Sequence, residues 1–275
     1  MSTNPAEASR ANKITVQTIR QSKGHSKLTA LTAYDVTFAR LVDASGVDIV
    51  LVGDSLGMMV QGHANTLPVT MDDIVYHTRA VARGVSRAHL VADMPFMSYQ
   101  ASVEDGVRAA GRLLQEGGAE AVKIEGGVEV ADLIQRLTSF GIPVMAHIGM
   151  TPQSVHQYGG FKVQGRQDDS YRRILQGAQA VADAGAYCVV VESVPDSLGS
   201  ELSKLLSVPT IGIGAGAGCD GQILVMHDVL GLDPNWKPRF ARQYAQLGVA
   251  AQEAFSAYVK DVREGRFPAE AETFK

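Results

Sequence analysis

Short apolar runs recur along the chain at similar intervals, and longer segments with helical periodicity separate them. Each run is typical of a buried β-strand, because apolar residues occupy both of its faces. The eight runs are LTALTAY (28–34), DIVLVGD (48–54), HLVADMP (89–95), AVKIEG (121–126), PVMAHIG (143–149), YCVVVES (187–193), PTIGIGAG (209–216) and GQILVMHD (221–228). The pattern therefore predicts eight strands.

In the intervening segments, apolar residues recur at spacings of three and four, which is typical of amphipathic helices. These segments cover residues 36–46, 72–85, 103–118, 129–141, 169–185 and 196–207. Strands that alternate with helices predict a parallel sheet covered on both faces, either as a closed barrel or as an open doubly wound sheet. Eight units favour an α/β fold of the (βα)8 TIM barrel type, in one catalytic domain over residues 15–275 that follows a flexible arm of residues 1–14.

Two features depart from a regular repeat. Residues 217–220 separate the seventh and eighth runs, and four residues are too few for a covering helix. Either this helix is missing, it is supplied from elsewhere, or one of the two runs is not a barrel strand. The second feature is a final amphipathic segment, residues 238–265, which is predicted to form a C-terminal helix that covers the open flank or reaches a neighbouring subunit.

Ionisable residues lie at the carboxyl ends of five successive predicted strands, where barrel enzymes carry their working groups. In chain order these residues are Asp54, Asp93, Lys123 with Glu125, His147 and Glu192. By the alternation of side chains in a strand, Asp54 shares a face with Val50 and Val52. A carboxylate in apolar surroundings is costly unless it meets a cation or hydrogen-bond donors, so the group predicts a site.

An isolated Asp at a strand end is often a helix cap, but the capping positions here belong to other residues. Thr70 with Asp73 and Ser102 with Asp105 form the capping signatures of the two helices that follow. Converging carboxylates suit a hard divalent cation such as Mg²⁺, whereas the His and Cys spacing of a zinc site is missing from the sequence.

Lys123 is unusual because it lies within an otherwise apolar strand. It requires an anion, either Glu125 or a substrate carboxylate, and formation of a Schiff base is a second alternative. Residues 216–221, GAGCDG, match the dinucleotide pattern GxGxxG, but no helical pattern follows them and the cofactor reading is rejected. Residues 148–170 form a long connection that is predicted to be a lid or a binding loop.

Composition narrows the class of protein further. The net charge of −4 over 275 residues provides no basic surface for nucleic acid, and no apolar run is long enough for a membrane span. Two cysteines, Cys188 and Cys219, without a CxxC pair favour a reducing compartment, so we expect a cytoplasmic protein.

Several long strings resemble the 3-methyl-2-oxobutanoate hydroxymethyltransferase (ketopantoate hydroxymethyltransferase) family over nearly the whole chain. They are VGDSLGMMVQGHANTLPVTMDDIVYHTRAVARG, ADMPFMSYQ, AVKIEGG, PVMAHIGMTPQSVHQYGGFKVQG, VVVESVP and IGIGAGAGCDGQILVMHDVLGL. The resemblance implies a (βα)8 barrel of the phosphoenolpyruvate/pyruvate type that assembles as a homodecamer. It implies transfer of a one-carbon unit from 5,10-methylenetetrahydrofolate to 3-methyl-2-oxobutanoate, which gives 2-dehydropantoate in the first committed step of pantothenate synthesis.

The resemblance also implies roles for the residues at the strand ends. Asp54, Asp93 and Glu125 fall at the positions of metal ligands, and Glu192 falls at that of the proton acceptor. The positions that contact the oxo acid are Asp54, Ser55, Asp93, Lys123 and His147. A bound Mg²⁺ would acidify the C3 hydrogen of the oxo acid by stabilising its enolate, which would then attack the methylene carbon of the folate.

Two alternatives stay open. A Mg²⁺-dependent C–C lyase or mutase of the same barrel superfamily would need similar acids, although such enzymes commonly carry a cysteine in a KKCGH-like loop, which this sequence lacks. A barrel that only binds or supports other proteins would have no chemical need for Asp54, Asp93, Glu125 and Glu192 together.

Overall fold

A computed structural model describes residues 13–274 of the chain. Its residues group into two compact units, which divide after residue 224. The predicted arm of residues 1–14 lies almost entirely outside the described residues. The two members that are described make contacts in the first unit, where the amide of Ile14 donates to the carbonyl of Arg87 and Lys13 Nζ donates to the carbonyl of Ala88.

The first unit is a closed barrel of eight parallel strands in sequential order, as predicted. The strands are β1 (Leu28–Thr32), β2 (Ile49–Val52), β3 (His89–Asp93), β4 (Ala121–Glu125), β5 (Val144–Gly149), β6 (Cys188–Glu192), β7 (Thr210–Ile213) and β8 (Gly221–Leu224). Each lies within its predicted apolar run, because near-continuous apolar sequence suits a strand that is buried on both faces.

The first unit also contains nine α-helices among its described residues, of which α1 precedes β1 and the others follow strands. They are α1 (Val16–Gln21), α2 (Val36–Ala44), α3 (Leu56–Met59), α4 (Met71–Ala82), α5 (Val103–Gln115), α6 (Ala131–Ser139), α7 (Val155–Tyr158), α8 (Asp168–Asp183) and α9 (Asp196–Leu205). The six predicted helices correspond to α2, α4, α5, α6, α8 and α9. The predicted caps are present as well, since Thr70 Oγ1 accepts from the amide of Asp73 and Ser102 Oγ accepts from the amide of Asp105.

Apolar side chains fill the interior of the barrel. Alternate strand residues such as Ile49, Leu51, Val91 and Val190 form one buried cluster, and Ile19 of α1 belongs to it. Ile19 is fully buried, so α1 packs its apolar side chain into the barrel core. Below its mouth, the barrel is therefore a packed core, as in other barrels of eight strands.

The second unit contains α10 (Met226–Leu230) and α11 (Leu247–Arg263). The sequence predicted a helix from about residue 238, whereas α11 begins nine residues later. Residues 238–246 contain no helix in the described structure, and Pro238 helps to explain this because proline has no amide hydrogen to donate. Among the described residues, no helix has the length and apolar character needed to cross a membrane.

The question of the seventh connection is resolved within the first unit. β7 and β8 are both barrel strands and pair in parallel, and residues 214–220 join them without a helix. The sequence that matched GxGxxG thus belongs to this connection. Asp220 fixes its end, because Asp220 Oδ2 accepts from the amide of Thr210 (2.8 Å), from Ser203 Oγ (2.9 Å) and from Lys23 Nζ (2.7 Å).

We predict that Asp220→Asn lowers the free energy of unfolding at pH 7 by about 2–3 kcal/mol, since hydrogen bonds to a charged acceptor are among the stronger ones. Urea unfolding followed by circular dichroism measures the change. Asp132→Asn, at an exposed position of α6, is the matched control and should leave stability within about 0.5 kcal/mol of the wild type.

The stability that Asp220 contributes is also expected to depend on pH. Burial raises the pKa of Asp220, but the bonds from Lys23 and Thr210 outweigh it and the net pKa is lowered. A lowered folded-state pKa gives stability that is present above the unfolded pKa of about 3.9 and is lost as pH falls through the folded value. The difference between wild type and Asp220→Asn should therefore shrink on acidification, and a difference that grew would contradict this account.

Candidate active site

The barrel places charged side chains of neighbouring strands next to one another at its carboxyl-terminal end. Asp93 of β3 pairs in register with Lys123 of β4, and Glu125 of β4 pairs with His147 of β5. Glu192 ends β6 beside Gly149 of β5. All five residues lie where the sequence predicted them, because parallel strands bring their carboxyl ends to one edge.

Lys123 lies at the centre of this group. Its ammonium forms an ion pair with Asp93 Oδ1 and lies 3.8 Å from Glu125 Oε1. The side chains of Lys123 and Asp93 are 5% and 4% exposed. Burial alone lowers the pKa of Lys123, but the charges of Asp93 and Glu125 raise it more, so the net pKa lies above its usual range. The lysine is therefore a permanent cation here, which disfavours its use as a Schiff-base amine.

His147 lies between two carboxylates. Its Nδ1 is 3.4 Å from Glu125 Oε1, and its Nε2 is 3.3 Å from Glu192 Oε2. These are ion-pair distances without the alignment of hydrogen bonds. Burial and Lys123 lower the pKa of His147, but the two carboxylates raise it to a net value of about 9. The ring is therefore an imidazolium at neutral pH.

The same contact affects Glu125. Burial raises the pKa of Glu125, but His147 and Lys123 outweigh burial and lower it overall. Glu125 is thus an anion at neutral pH, and its Oε1 is a buried oxygen without an aligned hydrogen bond among the described residues.

Asp54 belongs to this group, but not for the structural reason that the sequence suggested. In β2 the interior positions are Ile49 and Leu51, so strict alternation would direct residue 54 outward with Val50 and Val52. The strand instead ends at Val52, and the amide of Asp54 donates to Asp93 Oδ2 at 2.9 Å. The prediction from alternation was wrong because residue 54 is no longer part of the strand.

Burial is the main reason why the pKa of Asp54 lies well above its usual range, and the charges of Asp93 and Glu125 add to it. A nearby cation would reverse this effect. α3 follows closely, but its N-cap Ser55 makes no side-chain capping bond, and Ser55 Oγ lies 2.8 Å from Tyr34 Oη instead. The hydroxyl of Ser55 is thus held beside Asp54.

The charges of this cluster do not balance. It contains four carboxyl groups and two cationic side chains, so the acidic groups outnumber the cations by two. The carboxylates are those of Asp54, Asp93, Glu125 and Glu192, and the cations are Lys123 and protonated His147. A divalent cation with oxygen ligands fits this excess. Among the described residues, no three His, Cys, Asp or Glu side chains already lie in a ligand arrangement.

Two further residues of the cluster were missed by the sequence analysis. Gln153 Nε2 donates to Asp54 Oδ2 at 3.0 Å, and Tyr99 Oη donates to Gln153 Oε1 at 2.9 Å. Both side chains are buried. Gln153 follows β5 and Tyr99 follows β3, and both belong to sequence strings that resemble the family. The only indication in the sequence was that each is a polar residue in the segment after a strand.

A cavity of about 770 Å³ adjoins the cluster within the first unit. Its wall includes Glu125, Gln153, Tyr158, Gln164 and Arg173. The predicted long loop contributes to this wall, although part of it is helical, as a 3₁₀ turn at Pro152–Ser154 followed by α7. A volume of this size accommodates a ligand much larger than a five-carbon acid.

A closed parallel barrel with acids, a buried lysine and an imidazolium gathered at its carboxyl end has the design of a (βα)8 enzyme. Comparison with known proteins shows the enzyme family to which the chain belongs. The family model of ketopantoate hydroxymethyltransferase matches residues 13–270. A 3-methyl-2-oxobutanoate hydroxymethyltransferase of Pelobacter propionicus is 54% identical over 95% of this chain and 97% of that protein. The enzyme of the same name from Syntrophus aciditrophicus is 52% identical over 97% of this chain and 98% of that protein.

The chain therefore belongs to the ketopantoate hydroxymethyltransferase family, and it is an enzyme that transfers a hydroxymethyl group to 3-methyl-2-oxobutanoate. Solved structures agree on the fold. 2,3-Dimethylmalate lyase, a member of the PEP mutase/isocitrate lyase superfamily, superposes with a TM-score of 0.60 at 18% identity, over 94% of this chain and 91% of that chain. Phosphonopyruvate hydrolase with oxalate and Mg²⁺ gives a TM-score of 0.60 at 15% identity, with the same coverage of both chains.

We predict that Lys123→Met lowers the free energy of unfolding by about 3–5 kcal/mol, because it leaves Asp93 buried without its cation. Urea unfolding in the absence of metal measures the change. The double variant Asp93→Asn/Lys123→Met should recover at least half of the loss, since it removes the unpaired charge together with its partner.

Lys204→Met, at an exposed position of α9, provides the matched control and should change stability by less than about 0.5 kcal/mol. A Lys123→Met protein as stable as this control would show that the pair with Asp93 does not carry the charge balance of the barrel mouth.

Proposed function

We propose that the hydroxymethyl transfer uses a divalent cation, Mg²⁺, at the barrel mouth and 5,10-methylenetetrahydrofolate as the one-carbon donor. The observation that carries this proposal is the grouping of three buried carboxyl groups, those of Asp54, Asp93 and Glu125, at the barrel mouth. The pKa of Asp54 is raised by burial and by its acidic neighbours, so an added positive charge would favour its ionised form.

The carboxylates of Asp54, Asp93 and Glu125 would hold the cation. When bound, Mg²⁺ supplies positive charge that acidifies the C3 hydrogen of the oxo acid. A protein of the same fold, phosphonopyruvate hydrolase, was crystallised with Mg²⁺ and oxalate, which supports such a site. Asp93 is already engaged with Lys123 on one oxygen and with the amide of Asp54 on the other, so its orientation is fixed in advance.

Lys123 binds the carboxylate of the oxo acid in this proposal. Its ammonium is buried and permanently charged, so it attracts an anion that enters the barrel mouth. Ser55 Oγ, held by Tyr34, lies beside Asp54 and offers a hydroxyl to the same ligand. His147 contributes a second positive charge and fixes the carboxylate of Glu192 at 3.3 Å from its Nε2.

Glu192 is the proton acceptor in this mechanism. Its side chain is 16% exposed, whereas the side chains of Asp93 and Glu125 are 4% and 3% exposed. Of these three carboxylates, Glu192 is thus the one that an entering substrate can reach. It removes the C3 proton, and the C3 carbon then attacks the methylene carbon of the folate while one of the two C–N bonds of that carbon breaks. Cleavage of the second C–N bond, with the hydroxyl group supplied by water, completes 2-dehydropantoate and releases tetrahydrofolate.

The donor needs a larger space than the oxo acid. The cavity of about 770 Å³ next to Glu125 provides it, and its walls include Tyr158 and Arg173. A wall of this kind would shield the methylene group from bulk water until the C3 carbon has attacked it.

The remaining expectations concern cell location and assembly. Cys188 and Cys219 are both buried free thiols, which suits a cytoplasmic enzyme. Helix α11 exposes Phe255, Tyr258 and Val259, and apolar surface of this kind is often covered in oligomers. The homodecamer itself stays a prediction of the family resemblance.

The purified protein is expected to form 2-dehydropantoate from 3-methyl-2-oxobutanoate and 5,10-methylenetetrahydrofolate when Mg²⁺ is present. Product is measured by mass spectrometry, with reactions that lack one component as controls. Removal of metal with EDTA should abolish the reaction, and added Mg²⁺ should restore it. Formation of product at an unchanged rate in EDTA would refute the role of the cation.

Glu192→Gln should slow exchange of the C3 hydrogen of the oxo acid with deuterium from solvent by at least about 100-fold, because the amide cannot accept the proton. Proton NMR follows the exchange in the absence of folate. Binding of the oxo acid and Mg²⁺, measured by calorimetry, should stay within about threefold of the wild type, since Glu192 is assigned no ligand role.

Glu104→Gln, an exposed position on α5, controls for the change from acid to amide and should exchange at the normal rate. Normal exchange in Glu192→Gln as well would assign the base to another residue.

A further inference from the structure

Gln153 has no role in the mechanism above, yet it contacts two of its carboxylates. The residue lies in the 3₁₀ turn that follows β5 and is 7% exposed. Its Nε2 donates to Asp54 Oδ2 and to the carbonyl of Met94, each at 3.0 Å. Its main-chain amide donates to Glu125 Oε2 at 3.0 Å. One residue thus holds an oxygen of each carboxylate.

The orientation of the Gln153 amide is fixed by chemistry. The carbonyl of Met94 can accept a hydrogen bond but cannot donate one, so the NH₂ group must face it, and the same group then reaches Asp54 Oδ2. On the other side, Gln153 Oε1 accepts from Tyr99 Oη at 2.9 Å and from Gln100 Nε2 at 3.0 Å. A flipped amide would place its oxygen against the carbonyl of Met94, where two acceptors cannot form a hydrogen bond.

Tyr99 connects the same network to β4. Its hydroxyl lies 3.0 Å from the carbonyl and 3.2 Å from the amide nitrogen of Glu125. The loop after β3, the end of β4 and the turn after β5 therefore meet at Gln153. Asp54 lies just after β2 and Glu125 ends β4, and Gln153 forms a hydrogen bond with the carboxyl group of each.

We infer that Gln153 is a positioning residue, which holds the carboxylates of Asp54 and Glu125 in a fixed mutual orientation so that they bind the divalent cation together. This inference rests on the proposed function, because it needs the cation site at the barrel mouth. It assigns Gln153 no contact with substrate. Groups that orient metal ligands in this way typically change metal affinity or activity by about 10–100-fold.

Gln153→Met tests the inference, since methionine has a similar length but no donor for Asp54, while the main-chain bond to Glu125 is kept. Binding of Mn²⁺ to the full-length protein without substrates is measured by electron paramagnetic resonance. We expect the dissociation constant to rise at least about 10-fold relative to the wild type. Circular dichroism verifies that the variant is folded.

Gln100→Met is the matched control. Gln100 donates to the same Gln153 amide but is exposed and is not bonded to Asp54 or Glu125, so its dissociation constant for Mn²⁺ should stay within about threefold of the wild type. A general loosening of the network would weaken both variants equally, and that result would overturn the inference.

A second variant covers the case in which Gln153→Met does not fold. Gln153→Asn keeps the amide on a shorter stem that cannot reach Asp54, and its affinity for Mn²⁺ should also fall at least about 10-fold. Wild-type affinity in every folded Gln153 variant would overturn the inference and leave the proposed function intact. Failure of the wild-type protein to bind Mn²⁺ would instead refute the proposed cation site, and the inference with it.

Discussion

The buried ion pair between Lys123 and Asp93 is the interaction on which the arrangement of the barrel mouth depends. A lysine and a carboxylate that are each about 95% buried are stable only as a pair, because either charge alone would lose its solvation without compensation. The pair requires β3 and β4 to lie in register, and it places one positive charge among several negative ones. Asp54, Glu125 and His147 lie around this pair. The chemistry of the site follows from the balance of positive and negative charge among these side chains.

Much of the fold could be read from the sequence. All eight strands lie inside their predicted apolar runs, because the barrel buries both faces of each strand and so demands near-continuous apolar sequence. The positions of Asp93, Lys123, Glu125, His147 and Glu192 at strand ends were equally visible, since parallel strands share one edge. The resemblance of several sequence strings to the ketopantoate hydroxymethyltransferase family suggested the proposed roles of these residues. The comparisons with known proteins show that the chain belongs to this family.

Other features depended on three-dimensional contacts that no local pattern encodes. Asp54 joins the site because β2 ends two residues before it, and an alternation rule cannot detect where a strand stops. Gln153 and Tyr99 are neutral residues in loops, so their importance arises from hydrogen bonds to distant strands. The start of α11 was predicted too early for a related reason, since amphipathic spacing continues into residues 238–246, which are not helical.

Helix α1 helps to close one end of the barrel. Ile19 and the apolar residues of the barrel interior fill the space below the charged cluster, so molecules reach that cluster from the carboxyl-terminal end of the barrel. A small acid bound against Lys123 would then lie deeper than any larger donor in the adjoining cavity. Under the proposed function, such a one-ended site would impose an order on binding: the oxo acid would enter before the donor, and the product formed from it would leave after the spent donor.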